Sequence, residues 1–146
     1  MKNSALFWWR WLIVVSVGVM LFGLSMVVLP DITKHLFSLL LFSSPEAIAG
    51  FGEPAVSYIG LVHGVLGAVM FGWGVMLLLV LLGPFRSGSR EAWLTLLVSL
   101  AAWYIPYTIF SLWSGYLQNA VLNTTLAFLF TAPLVATYRV SNKRET

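Results

Sequence analysis

The chain has 146 residues, of which 60% are hydrophobic and only 9% are charged, and its formal net charge is +3. A globular domain in water has about 25% charged residues, so this composition excludes such a domain and indicates an integral membrane protein whose main partner is the lipid bilayer. The absence of cysteine excludes disulfides, thiol redox chemistry and cysteine-ligated metal centres. Lysine and arginine are dispersed rather than clustered, so no nucleic-acid partner is expected.

The first membrane span is predicted at residues 11–29, a run of 19 residues without a charge. Arg10 and three tryptophans lie where the run begins, and such residues commonly anchor a membrane helix at the lipid headgroups. A cleaved signal peptide is the alternative, since a basic start precedes an apolar run. The run is long for a signal peptide and is followed by Pro30-Asp31 instead of small residues, which favours an uncleaved helix.

Residues 31–54 form the only long connection and are predicted to lie in the outer membrane interface. Within 31–43, polar side chains recur at helical spacing, at Asp31, Lys34, His35 and Ser38. A helix of this length is too short to cross a hydrocarbon core of ~30 Å. We therefore expect an amphipathic helix that lies in the interface, with a re-entrant segment as the alternative.

The second span is predicted at residues 55–83, a run of 29 residues without a charge. It carries a row of small residues at helical spacing, with one more glycine beside it: Gly60, Gly64, Ala68 and Gly72, and Gly67. In lipid, small residues let a neighbouring helix approach closely. We expect these five residues to pack against another helix of the chain, a partner protein or a second copy.

The third and fourth spans are predicted at residues 92–113 and 117–138. The whole segment 92–138 has 47 residues without a charge, and a single helix of that length would measure ~70 Å, more than twice the bilayer core. The chain must therefore fold back, and Ser114-Gly115 is the expected turn. Ser89 is predicted to cap the third helix.

The predicted orientation follows from the lysines and arginines. Seven of them fall on the side that holds both termini and the turn after the second span, whereas Lys34 alone falls on the other side. Cytoplasmic segments carry the excess of positive charge. The sequence therefore predicts a multi-pass membrane protein with cytoplasmic N- and C-termini. The expected fold is all-α: a four-helix transmembrane bundle with an amphipathic interfacial segment between helices 1 and 2.

A set of polar residues falls at one predicted depth, in the outer half of the spans: His63, Tyr104, Tyr107, Asn119 and Asn123. Polar side chains in lipid need hydrogen-bond partners, which favours positions facing the interior of a bundle. The simplest interpretation is that they bond to one another and define helix register. A second hypothesis is a cavity that binds a lipid, a quinone or another apolar ligand. A third makes His63 the axial ligand of a tetrapyrrole pigment.

No catalytic or metal-binding residue is predicted, because no charged side chain falls within a span and no nucleophile–base pair stands out. The cofactor, if any, is left open. We expect a non-enzymatic accessory or structural subunit of a membrane complex, with a membrane protein or a second copy as partner. The alternative is a module that binds an apolar ligand near His63.

Three segments carry a resemblance to a known group of proteins: GVLGAVMFGWGV in the second span, GPFRSGSREAW after it, and SGYLQNAVLNT between the last two spans. Together they resemble a loose group of short bacterial four-span integral membrane proteins without an established activity. The resemblance implies four helices and a bacterial inner membrane. It implies no catalytic residue and no cofactor.

Overall fold

The computed structural model describes residues 3–142 and the side chains of residues 4–138. This part of the chain is mostly helical and contains no strand, so the all-α prediction is confirmed. The elements, in chain order, are α1 (Asn3–Val28), α2 (Pro30–Phe42), a 3₁₀ helix (Ala47–Phe51), α3 (Glu53–Val80), a π-helix (Leu81–Phe85), α4 (Arg90–Trp113) and α5 (Leu117–Asn142). Lys2, Lys143 and Arg144, which the orientation argument counts, lie outside the described residues.

Four helical segments of the described chain are long and apolar enough to cross a membrane, as a multi-pass membrane protein requires: Ser4–Val28, Glu53–Phe85, Arg90–Trp113 and Leu117–Tyr138. The second segment combines α3 with the π-helix. Between the first two segments lies α2, whose 13 residues form the short helix that the polar spacing predicts. Pro30 begins it, and Ser43 ends it in the left-handed conformation.

The chain divides into two compact units, Met1–Val17 with Val75–Thr146, and Gly18–Gly74. We call them the hairpin unit and the groove unit. Because α1 and α3 are long, each contributes residues to both units.

The hairpin unit is built on α4 and α5. The side-chain oxygen of Ser89 accepts a hydrogen bond from the backbone N–H of Ala92, which confirms the predicted cap of α4. At the turn between the helices, Gly115 has a φ of 81°, a conformation that side-chain-bearing residues rarely adopt. Leucines and a phenylalanine fill the interior, among them Leu96, Leu100, Phe130 and Leu134.

The π-helix of the hairpin unit is held by a tryptophan. The indole Nε1 of Trp9 donates to the carbonyl oxygen of Leu81, the first residue of the π-helix, at 2.8 Å. The guanidinium of Arg86 lies 5.0 Å from the centre of the Trp9 ring, a cation–π distance. Pro84 lies inside this turn and has no N–H to donate, so an irregular helical turn is expected there.

The groove unit begins with two helices in close contact. Gly23 of α1 lies against Gly67 of α3, and Met20 lies against Gly74, so the two helices run antiparallel. A Cβ added to Gly67 would lie 2.5 Å from the carbonyl oxygen of Gly23, hence only glycine fits this approach. Small residues serve here as they commonly do between membrane helices.

The connection between α2 and α3 in the groove unit is ordered by a buried serine. The hydroxyl of Ser38 donates to the carbonyl oxygen of Ser44 at 2.7 Å and accepts from the N–H of Ile48 at 3.3 Å. These bonds hold the 3₁₀ helix beside α2. Gly52, with a φ of 84°, then turns the chain into α3.

Candidate functional site

An open groove of about 900 Å³ lies within the groove unit. Its volume is in the range of ~300–1,000 Å³ that is usual for small-molecule sites. Its lining comes from the end of α1, from α2, from the 3₁₀ helix and from the first half of α3: Met26, Val27, Pro30, Lys34, Ala49, Glu53, Val56, Ser57, Gly60, Leu61, Gly64, Val65 and Ala68. Most of these side chains are apolar.

The small-residue row of α3 forms one wall of this groove. A Cβ added to Gly60 or Gly64 would meet nothing within 4 Å, and both glycines line the groove together with Ala68. Gly72, one turn further along the row, is equally open but does not line the groove. Gly67 is the residue that packs against α1. No described residue therefore packs closely against the three glycines of the row that was predicted to contact a helix. What packs against this row stays a prediction.

Two charged residues line the groove, Lys34 from α2 and Glu53 from the first turn of α3. The amino group of Lys34 lies 2.8 Å from a carboxylate oxygen of Asp31, and the Lys34 side chain is only 19% exposed. The hydrogen bond and the positive charge of Lys34 lower the pKa of the Asp31 carboxyl from its ordinary value of 3.8. Glu53 is exposed and makes no ion pair with any described residue.

His63 also belongs to the groove unit, but it does not line the groove. Its ring Nδ1 lies 2.8 Å from the carbonyl oxygen of Ile59, and the ring meets Phe37 edge-on, with the centroids 4.9 Å apart. Because a carbonyl can only accept, Nδ1 donates this hydrogen bond, which in a neutral imidazole leaves the lone pair on Nε2. A free lone pair is what an axial ligand needs, but the tetrapyrrole hypothesis stays a prediction.

The other predicted site residues lie in the hairpin unit, where three of them form hydrogen bonds between α4 and α5. The hydroxyl of Tyr107 donates to Oδ1 of Asn119 at 3.3 Å, and Nδ2 of Asn119 donates to the hydroxyl of Ser111 at 2.8 Å. The hydroxyl of Tyr104 lies 3.2 Å from that of Thr124. These bonds are what the register interpretation requires. That His63 joins them stays a prediction.

Asn123 is placed differently from its predicted partners. It is 1% exposed, and its Nδ2 has no hydrogen-bond partner among the described residues. The hydroxyls of Ser16 and Thr108, also in the hairpin unit, are likewise buried without a partner. Nδ2 of Asn123 therefore forms no hydrogen bond between the helices within the described residues. A buried donor without an acceptor lowers the stability of the folded protein by ~1–3 kcal/mol.

The groups of the groove and of the α4–α5 network offer charges and hydrogen bonds to a ligand. The α4–α5 network consists of neutral hydroxyl and amide groups that bond to one another. Among the residues that the structure describes, no group of three or more His, Asp or Glu side chains is arranged to hold a metal ion.

The sequence analysis did not include Lys34 and Glu53 among the candidate site residues, although both line the groove. It assigned Lys34 to the interfacial helix and Glu53 to the start of a span, without placing both beside the glycine row. The available signal was their charge, because few charged residues flank the apolar segments of this chain.

Three comparisons with known proteins complete the description. No protein-family model matches the chain, and neither a curated protein nor a solved structure matches it.

Proposed function

We propose that this chain is a non-enzymatic integral membrane protein that holds a lipid in the groove between α1, α2 and α3. The observation that carries the proposal is the groove itself, about 900 Å³ in volume and walled by the open glycines Gly60 and Gly64. In a membrane, an apolar groove of this size is filled by an acyl chain or by a helix. Smaller polar ligands have little to bind there, since its walls are mainly apolar.

The proposed location is a bacterial inner membrane with both termini in the cytoplasm. The resemblance of the sequence supports the bacterial membrane, and the distribution of lysine and arginine supports the orientation, with seven on one side of the predicted spans and one on the other. Reporter fusions at the C-terminus and in the α2–α3 connection test this orientation. Activity of a cytoplasmic reporter at the second position would contradict it.

A second candidate function is that of an accessory or structural subunit. It is favoured by the spacing of the open glycines, because Gly60, Gly64 and Gly72 lie on one face of α3 at intervals typical of contacts between membrane helices. In this case a helix of a partner protein or of a second copy packs along the whole row. The groove would be one part of that contact.

The same experiment separates the two functions. Wild-type protein is purified gently from its own membrane and its bound mass is measured by native mass spectrometry. Gly64→Leu places a side chain in the groove, whereas Gly72→Leu places the same side chain on the same row outside it. Both positions have free space for a Cβ, so both variants are expected to fold.

The lipid function predicts one bound lipid per chain in the wild type and in Gly72→Leu, and its loss in Gly64→Leu. The subunit function predicts that both substitutions release a co-purifying protein or dissociate an oligomer. Absence of a bound lipid in the wild type, or its equal retention in all three proteins, would contradict the lipid function.

A further inference from the structure

The length of the groove corresponds to one lipid molecule in one leaflet. On α3 its lining extends from Glu53 to Ala68, and fifteen residue steps along a helix measure ~22 Å. A bilayer is ~40–45 Å thick with its headgroups, so a single leaflet accounts for about half of that. At the end of the groove far from Glu53, the lining residues of α3 have no polar side chain: Gly64, Val65 and Ala68. That part suits the acyl chains.

The charges of the groove suit a headgroup with both signs. Lys34 offers an ammonium group with three donors, of which the carboxylate of Asp31 uses one. Glu53 offers a carboxylate that no described residue pairs. A purely anionic headgroup would be repelled by Glu53, and a headgroup without charges would pair with neither side chain. A phosphate joined to an ammonium group satisfies both.

We propose that the groove selects an ethanolamine glycerophospholipid, with its phosphate on Lys34, its ammonium group on Glu53 and its acyl chains along the open glycines of α3. The inference rests on the proposed lipid function and specifies the lipid. Glu53 supplies the discrimination, because the ethanolamine ammonium donates N–H bonds to a carboxylate and the choline group has no N–H to donate. Charge-assisted bonds of this kind are roughly twice as strong as neutral ones.

The test titrates the detergent-solubilised full chain, freed of its own lipid, with three defined lipids. They share palmitoyl and oleoyl chains and carry ethanolamine, choline or glycerol in the headgroup. Bound stoichiometry is measured by native mass spectrometry. We expect wild-type protein to bind the ethanolamine lipid about tenfold more tightly than the other two, a difference of ~1.4 kcal/mol.

Three charge variants identify the groups responsible. Glu53→Gln is expected to abolish the preference for ethanolamine over choline and to weaken choline binding less than ethanolamine binding, because the choline cation loses only the attraction of a charge and no N–H bond. Lys34→Met is expected to weaken the binding of all three phospholipids about tenfold, since each has a phosphate. Glu46→Gln, an exposed carboxylate of the same unit that does not line the groove, serves as the control and should bind as the wild type does.

Failure of this inference is distinguishable from failure of the lipid function. If all three lipids bind equally well and neither Glu53→Gln nor Lys34→Met changes their affinity, the headgroup inference is wrong although a lipid site exists. A stronger affinity for the glycerol lipid would likewise overturn it and assign an anionic lipid. If no lipid binds better to the wild type than to Gly64→Leu, the lipid function itself has failed.

Discussion

The indole Nε1 of Trp11 donates a hydrogen bond of 3.1 Å to the carbonyl oxygen of Leu129, which Pro133 leaves without its usual helical donor. In an α-helix the carbonyl of residue 129 accepts from the N–H of residue 133, and proline has none. The helix α5 nevertheless continues through Pro133. Trp11 of α1 thus supplies from another helix the bond that the proline removes.

The first prediction concerns this replacement. Trp11→Phe should lower the free energy of unfolding by ~1 kcal/mol, because the Leu129 carbonyl then lacks a donor in an apolar environment. In a Pro133→Ala background the N–H of residue 133 is restored, so Trp11→Phe should cost much less. Unfolding in mixed micelles, monitored by circular dichroism for all four proteins of the cycle, measures the difference.

The control for this cycle is Trp113→Phe, which alters an indole that is 89% exposed and should leave stability unchanged. Equal costs of Trp11→Phe in both backgrounds would show that Trp11 contributes through its ring alone.

The second prediction compares two glycines of α3 that differ only in what lies beside them. Gly67→Ala should destabilise the protein by ~1–3 kcal/mol, the usual cost of overpacking, since its Cβ would lie 2.5 Å from the Gly23 carbonyl oxygen. Gly64→Ala meets open space and should be neutral or slightly stabilising, because alanine is the better helix former. The same micelle unfolding assay measures both. Equal effects of the two substitutions would contradict the close approach of α1 and α3.

The long helices could be predicted because hydropathy and charge determine them locally. Runs such as 55–83 contain no charged residue, and the 47 uncharged residues after Glu91 must fold back to fit a bilayer. The cap at Ser89 was predictable because it is equally local: the serine oxygen accepts from the backbone N–H of Ala92, only three residues later. These features depend on neighbours in the sequence.

The site was less predictable because it depends on which faces meet. Gly64 and Gly67 look equivalent in the sequence, and only the register of α1 against α3 places Gly67 in the contact and Gly64 in the groove. Likewise, Tyr107 bonds to Asn119, whereas Asn123, one helical turn further, has an Nδ2 without a partner. Periodicity identifies the polar residues of a helix but not the rotation of that helix about its axis.

The third prediction follows from these two asparagines. Asn119→Leu should lower stability by ~1 kcal/mol, because it removes two interhelical bonds of ~0.6 kcal/mol each. Asn123→Leu should be neutral or stabilising, since it removes a buried donor that bonds to no described residue and replaces it with an apolar group of similar size. Micelle unfolding of both variants measures this contrast. A marked loss of stability in Asn123→Leu would mean that Nδ2 has a water or ligand partner in the membrane.

The fourth prediction concerns the ion pair beside the groove. Lys34 is the main cause of the lowered pKa of the Asp31 carboxyl, with a smaller contribution from the charge of His35. The folded pKa therefore lies below the ordinary 3.8, and the stabilisation by this pair is complete above that value and lost as the pH falls through the folded pKa. Lys34→Met should raise the pKa of Asp31 to about its ordinary value, whereas His35→Gln should raise it by less. Carboxyl chemical shifts of Asp31, followed by NMR during acid titration, measure both changes. An unchanged titration in Lys34→Met would show that the pair does not persist in solution, and Lys34 would then be free to bind a phosphate without competition.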